Sequence, residues 1–322
     1  MSSNNTVTIY GAGGAGIDIL TKLMRTDLDG RAKVREAYVD GSRSNVHERS
    51  AIDANKWYFL DNVDGAGKVR RTNYDITDRS VGDILLKLPA SELNILIFSG
   101  SGGSGSVIGP KIAEELYRQE KAVLIFLVGS TESSNTTSNT LKTISTIRNF
   151  AIKNNQFANI FYESNGNNVR NAEVDDLFVT GIRAILDLYS GNHHGLDSAD
   201  VLTWSKPTLG AEVSPELGLI EITGDREVAS DIVAPISIAE LYGDNKSPEG
   251  TIPADYNTFG TRKRAGGDSL YFVIHTDGLE NILNELRGIL KDYEQARSAR
   301  DQKSKSSRAF IQGDTQDDGM VL

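Results

Sequence analysis

Twice in the first third of the chain, a short apolar run empties into a glycine-rich loop that leads directly into a helical pattern. The first runs from Val7 to Tyr10 into Gly11-Ala12-Gly13-Gly14-Ala15-Gly16. The second runs from Asn94 to Phe98 into Ser99 and on to Ser106, and the six residues from Ser101 to Ser106 are only Gly and Ser. A loop without bulky side chains at a helix N-terminus lets backbone N–H groups close on a phosphate, and the positive end of the helix dipole favours the anion. Flexible Gly/Ser linkers join domains; they do not connect a core strand to a helix. Two such loops therefore call for an α/β sheet whose strand ends wrap a polyphosphate from both sides.

The rest of the pattern agrees. Strand-like runs at Val7 to Tyr10, Ala37 to Asp40, Asn94 to Phe98, Val123 to Val128 and Ile160 to Tyr162 alternate with amphipathic stretches. That alternation predicts a mostly parallel, Rossmann-like sheet with helices on both faces. One helix is expected after Gly16, with Ile17, Leu20 and Met24 on one face, and another from Pro110, a residue suited to a first helical turn. Val174, Leu177, Phe178, Ile182, Ile185 and Tyr189 recur at helical spacing and predict a long buried helix. A chain of 322 residues exceeds one ordinary core, so this helix is read as the exit from a first domain. Beyond Asp200, strand candidates at Leu219 to Thr223 and Ser269 to Thr276 predict a smaller α+β unit. A last helix from Leu279 carries Ile282, Leu283, Leu286, Ile289, Leu290 and Tyr293, then loses its apolar face over 297–308. A tail with Asp314, Asp317 and Asp318 follows. The expected organisation is 1–172 for nucleotide binding, 173–200 for the central helix and the loop after it, 201–278 for the second domain, and 279–322 for the final helix and acidic tail.

Composition narrows the chemistry. A net charge of −10 works against attachment of the body to nucleic acid or anionic lipid. There is no cysteine, which excludes disulfides and thiolate metal sites, and no apolar run long enough to span a bilayer; a cytoplasmic protein is expected. His193-His194 has no ligand partner at suitable spacing, so both are read as loop residues, with Trp204 and Pro207 as packing residues. No G-x-x-x-x-G-K-[ST] run occurs, so phosphate capture must rest on backbone and metal, which implies Mg²⁺ on phosphate oxygens. One alternative remains. The first loop also satisfies G-x-G-x-x-G, and Asp40 closes the second strand where a ribose-binding acid would sit in an NAD-dependent oxidoreductase.

Gly102-Gly103-Ser104-Gly105-Ser106 resembles the tubulin signature GGTGSG, with Ser104 for the usual Thr and Val107 where the last Gly is expected. Gly195-Leu196-Asp197-Ser198-Ala199-Asp200-Val201 resembles the N-x-D-x-x-D-V synergy loop of FtsZ, with His194 or Gly195 near the usual Asn. The resemblance to the tubulin/FtsZ family spans roughly residues 5 to 205. It implies a GTPase that cycles between GTP and GDP. Gly11, Gly13, Gly14, Gly102, Gly103, Ser104, Gly105 and Ser106 would hold the α- and β-phosphates, and Gly65-Ala66-Gly67 resembles the γ-phosphate-sensing turn. Glu132, beside Thr131, would contact the ribose, and Asn165 and Asp175 the guanine, with Glu173 as the alternative to Asp175. Asp197 and Asp200 would polarise the attacking water. Two anions beside a triphosphate repel it in a resting monomer, a conflict that disappears when the neighbouring subunit supplies them. The long final helix, basic extension and acidic tail resemble the plasmid and bacteriophage tubulins, TubZ and PhuZ. That implies head-to-tail filaments that position DNA or phage particles, with the tail lying on the next subunit.

Overall fold

The computed structural model describes residues 5–43, 52–61, 67–166, 169–243, 250–263 and 267–310. Its first half alternates strand and helix. In chain order come β1 (Thr6–Ala12), α1 (Gly13–Met24), β2 (Lys33–Asp40), β3 (Trp57–Phe59), α2 (Arg71–Lys87), β4 (Leu93–Ser99), α3 (Gly105–Arg118), β5 (Ala122–Ser130), α4 (Ser134–Lys153), β6 (Ala158–Asn165) and α5 (Asn171–Leu188). The second half holds β7 (His193–His194), α6 (Ser198–Ser205), α7 (Pro207–Gly210), β8 (Leu217–Thr223), α8 (Arg226–Asp231), β9 (Ser237–Tyr242), β10 (Tyr256–Arg262), β11 (Leu270–His275) and α9 (Leu279–Phe310).

All described strands share one sheet in the order β3-β2-β1-β4-β5-β6-β8-β11-β9-β10-β7. From β3 to β6 every pairing is parallel, and β11 enters antiparallel to both β8 and β9. The sheet is continuous across the expected domain junction, because β6 pairs with β8 through Ala158↔Leu217 and Ile160↔Leu219.

Alternate residues of the central strands feed opposite faces, as the two-residue period of a strand requires. Ile95, Ile97, Leu124 and Phe126 join α1 and α5 in one apolar cluster. Leu96, Phe98, Ile125 and Leu127 join α2, α3 and α4 in the other, and Leu286 of α9 packs into it. Trp204 is fully buried, with its indole N–H donating to Phe272 O at 3.0 Å, and Pro207 is buried too, as expected of packing residues.

Three expectations change in detail. Helices α1 and α3 begin at Gly13 and Gly105, inside the glycine loops and well before Ile17 and Pro110. Pro110 is tolerated within α3 because the carbonyl it leaves without a helical donor, that of Ser106, is reached by the Arg70 guanidinium. His193 and His194 form a short strand, antiparallel to Arg262 and Thr261, and do not lie in a loop. His193 is buried, with Nε2 at 2.7 Å from Asp187 O and 3.2 Å from Ser190 Oγ.

Candidate nucleotide cleft

The sheet order reverses between β1 and β4: the chain first builds outward to β2, then returns to the other side of β1. In open parallel sheets this switch point leaves a crevice outside the carboxyl ends of the strands. Here it is a cleft of about 660 Å³, lined by the β1–α1 loop, Asp40 and Ser42 after β2, Gly67 and Lys68, the Ser99–Gly105 loop, Ser130 and Glu132 after β5, and Asn165.

The two glycine loops interlock at the floor of the cleft. A Cβ built on Gly13, whose φ is +69°, would stand 2.7 Å from Gly105 N, and one on Gly105 would stand 2.8 Å from Ala12 O. Gly16 is closer still, with the added atom 2.0 Å from Ile97 O, so α1 lies directly on β4. Gly102 is different: nothing lies within 4 Å of its added Cβ, so its lack of a side chain leaves open space toward the cleft. Gly11 and Ser106 do not line the cleft. Gly11 packs on Gly16, and the Ser106 hydroxyl donates to Gly102 O at 2.6 Å, bracing the loop from behind.

Residues distant in sequence hold this loop in place. The Asn139 amide nitrogen, on α4, donates to Ser101 O and to Lys68 O, each at 3.1 Å. It thereby joins the second glycine loop to the Gly67-Lys68 turn. Asn73 of α2 donates to Ser104 Oγ at 3.1 Å, and the Thr143 hydroxyl donates to Gly100 O at 2.9 Å. Asn73, Asn139 and Thr143 are buried. Sequence reading missed Lys68, Asn73 and Asn139, since only the fold brings α2 and α4 against the loop. Gly67 lines the cleft; Gly65 and Ala66 lie outside the described residues, as does the tail with Asp314, Asp317 and Asp318.

The base and ribose candidates divide. Glu132 and Asn165 both line the cleft. Asn165 donates to Asn171 Oδ1 at 2.6 Å, while its own Oδ1 is buried without a partner, an acceptor suited to the N1–H and N2–H₂ donors of guanine. Asp175 stands in the first turns of α5 and is not among the cleft-lining residues; burial raises its pKa, against the lowering charge of Lys22, with Asp176 adding to the rise. Glu173 is committed to Arg170, with which it forms a 2.6 Å ion pair and a helix-capping box. The glycine cradle and the open acceptor fit a guanine nucleotide. Among the described residues no group of three His, Asp or Glu side chains is placed to hold a metal; the oxygen-bearing side chains lining the cleft that would suit Mg²⁺ include those of Asp40 and Ser42.

Asp197 and Asp200 are at the opposite end of the molecule. Helix α5 leaves the cleft side after β6 and runs about 27 Å for its 18 residues. Its far end meets the beginnings of the strands: Ala32 N–H, just before β2, donates to Leu186 O at 2.9 Å, and Asn5, just before β1, donates to Tyr189 O at 2.9 Å. Beyond it, Asp197 caps α6 by accepting from Ala199 N and Asp200 N, and Asp200 Oδ2 accepts from Asp197 N at 3.0 Å. The two acids are thus held together as a capping box, with Asp197 exposed.

A parallel sheet with its ligand crevice at the β1/β4 switch, two interlocked glycine loops and a central helix running from cleft to acid pair make up the tubulin/FtsZ fold. Among proteins of that fold the chain resembles the bacteriophage tubulins. It is 28% identical over 320 residues, 98% of each chain, to a phage tubulin-like protein of Pseudomonas phage PhiPA3. It superimposes with a TM-score of 0.84 and 23% identity on a protofilament of TubZ from bacteriophage PhiKZ, covering 98% of this chain and 99% of that one. For the phage tubulin PhuZ solved with GDP, the TM-score is 0.82 at 25% identity, with 98% and 99% covered. No protein-family model matches the chain. Among the described residues no helix is long and apolar enough to cross a membrane.

Proposed function

We propose that the chain is a GTPase that polymerises head to tail, binding GTP in the β1/β4 cleft and hydrolysing it only when Asp197 and Asp200 of the next subunit close over that cleft. The observation that carries this reading is the placement of the acid pair and the cleft at opposite ends of one sheet, joined by α5. Translation of one copy along α5 would set the acid end of one subunit on the nucleotide end of its neighbour.

In that arrangement each part has a task. The backbone N–H groups around Gly13, Gly14 and Gly103 to Gly105 bind the α- and β-phosphates, with Gly11 and Ser106 supporting them from behind. Gly67, of the Gly65-Ala66-Gly67 run, meets the γ-phosphate, with Lys68 adding positive charge. Glu132 reads the ribose, while Asn165 and Asp175 read guanine. Magnesium, when bound, neutralises phosphate charge. A carboxylate from the adjoining subunit orients the water; because the acids arrive only on assembly, nucleotide binding precedes hydrolysis. The reading extends to 201–278 as the unit that presents the acid end, to a filament that positions DNA or phage particles in the cytoplasm of an infected bacterium, and to the acidic tail lying on the neighbouring subunit. Its support is the likeness to phage tubulin-like proteins and to a TubZ protofilament. An NAD-dependent oxidoreductase would use the first glycine loop alone, whereas here the second loop shares the same cleft floor.

The test is phosphate release from GTP as a function of protein concentration, with sedimentation in parallel. Turnover per subunit should rise steeply above a threshold at which protein begins to pellet. A specific rate independent of concentration would overturn the proposal, as would binding of NAD in preference to GTP.

A further inference from the structure

The described part of α9 has two stretches of different character. Up to Tyr293 it packs on the body, with Leu286 buried and Ile282, Leu283, Ile289, Leu290 and Tyr293 half-buried. From Glu294 to Lys303 every residue is exposed. The stretch from Glu294 to Lys303 continues the helix for roughly 15 Å, so Tyr293 anchors α9 just before an exposed arm of that length.

The anchor falls on a particular atom. The Tyr293 hydroxyl donates to Thr131 O at 3.0 Å. Thr131 lies between Ser130 and Glu132, both lining the cleft. Its N–H donates to Asn165 O at 3.2 Å, and its Oγ1 stands where a Cβ on Gly166 would come within 2.4 Å. Thr131 therefore ties together the loop that carries Glu132 and the strand end that carries Asn165. Between this loop and the earlier turns of α9 lies a cavity of about 230 Å³, bordered by Gly166, Ile282, Glu285 and Leu286. The loop is also held from the body side, where Ser130 N–H donates to Thr140 Oγ1 at 3.2 Å, and the Tyr293 hydroxyl adds a contact to it from α9 beside this cavity.

We propose that Tyr293 is a positioning residue for nucleotide recognition: its bond to Thr131 O sets the loop bearing Glu132 and so fastens the projecting arm of α9 to the ribose side of the cleft. The inference rests on the guanine-nucleotide reading of that cleft. It differs from a purely structural role in one respect. A general loosening of the fold weakens every ligand alike, whereas displacement of Glu132 weakens only ligands that have ribose hydroxyls.

The experiment is calorimetric titration of the full chain with GDP and with 2′,3′-dideoxy-GDP, below the concentration at which it assembles, for the unaltered protein and for Tyr293→Phe. The substitution removes one hydroxyl and keeps the ring. The unaltered chain should prefer GDP, and Tyr293→Phe should reduce that preference roughly threefold, the scale of one hydrogen bond, with dideoxy-GDP affinity unchanged. In a Glu132→Gln background the same substitution should have no further effect on the ratio. An unchanged preference in Tyr293→Phe, or equal weakening of both ligands, overturns the positioning role while leaving the cleft a guanine-nucleotide site. Equal binding of the two ligands by the unaltered chain does the same. Failure of the unaltered chain to bind either ligand overturns the nucleotide reading itself and this inference with it.

Discussion

The Arg70 guanidinium donates to Ser106 O at 3.2 Å, and Ser106 O is the carbonyl that Pro110, four residues on in α3, leaves without a helical N–H. A proline inside a helix normally removes one hydrogen bond and pushes on the preceding turn. Here the lost donor is replaced by a side chain from the start of α2, and the turn so repaired is the one that follows the second glycine loop. A surface cation thereby takes on a structural role beneath the phosphate cradle.

Arg70→Met should destabilise the chain by about 1–2 kcal/mol, the cost of a buried carbonyl left without a donor. In a Pro110→Ala background, where residue 110 regains its N–H, the same substitution should cost about 1 kcal/mol less. A urea-unfolding double-mutant cycle measures the difference. Additive effects of the two substitutions would mean that Arg70 acts elsewhere.

The glycines of the cleft divide into those needed for packing and those needed by a ligand. Gly13→Ala combines a left-handed backbone with a contact of 2.7 Å to Gly105 N, and should cost about 2 kcal/mol or more of stability. Gly102→Ala meets nothing within 4 Å and should change stability by less than about 0.5 kcal/mol, yet weaken GDP binding because the methyl group occupies the cleft. Urea midpoints and calorimetric GDP titrations on the same samples separate the two classes.

Burial lowers the pKa of both His193 and His275 below 6.5, in each case against a raising influence of a nearby aspartate, Asp187 and Asp277 respectively. The folded state therefore prefers the neutral rings, and the unfolded chain binds more protons as pH falls below 6.5. The stability these residues contribute is present above that value and is lost as pH drops through the folded pKa values. The urea midpoint should fall between about pH 7.5 and about pH 5.5, and fall less in His275→Gln, which cannot titrate. An equal drop in both proteins would assign the acid sensitivity to other groups.

The parts of this site that were legible in the sequence are those whose chemistry is local. Gly13, Gly105 and Ser104 could be placed at a cleft because a strand, a glycine loop and a helix start are contiguous in the chain. Glu132 and Asn165 were expected from the resemblance to the tubulin/FtsZ family, and both line the cleft at the ends of β5 and β6. Helix starts were less legible. Gly and Pro both punctuate helices, and nothing in a single sequence says that Arg70 will replace the hydrogen bond Pro110 removes, so α3 was expected five residues late. Asn73, Asn139 and Lys68 carry no motif. Their contribution exists only because α2 and α4 pack against the glycine loop, a tertiary fact. The pairing of His193 with Arg262 was hidden for the same reason, since β10 lies more than sixty residues downstream. The acid pair was expected from its resemblance to the FtsZ synergy loop, while its distance from the cleft emerged only from the path of α5.

The most direct measurement is trans-complementation of GTP hydrolysis. Asp197→Asn retains a side chain able to cap α6 but lacks the charge, and Gly102→Trp fills the cleft while leaving the acid end intact. Each variant alone should be nearly inactive. Mixed in equal amounts, they should regain hydrolysis, because the acids of the Gly102→Trp subunit can close over the GTP-loaded cleft of an Asp197→Asn subunit. A mixture as silent as its components, or full activity of Asp197→Asn alone, would contradict a site completed across the subunit junction.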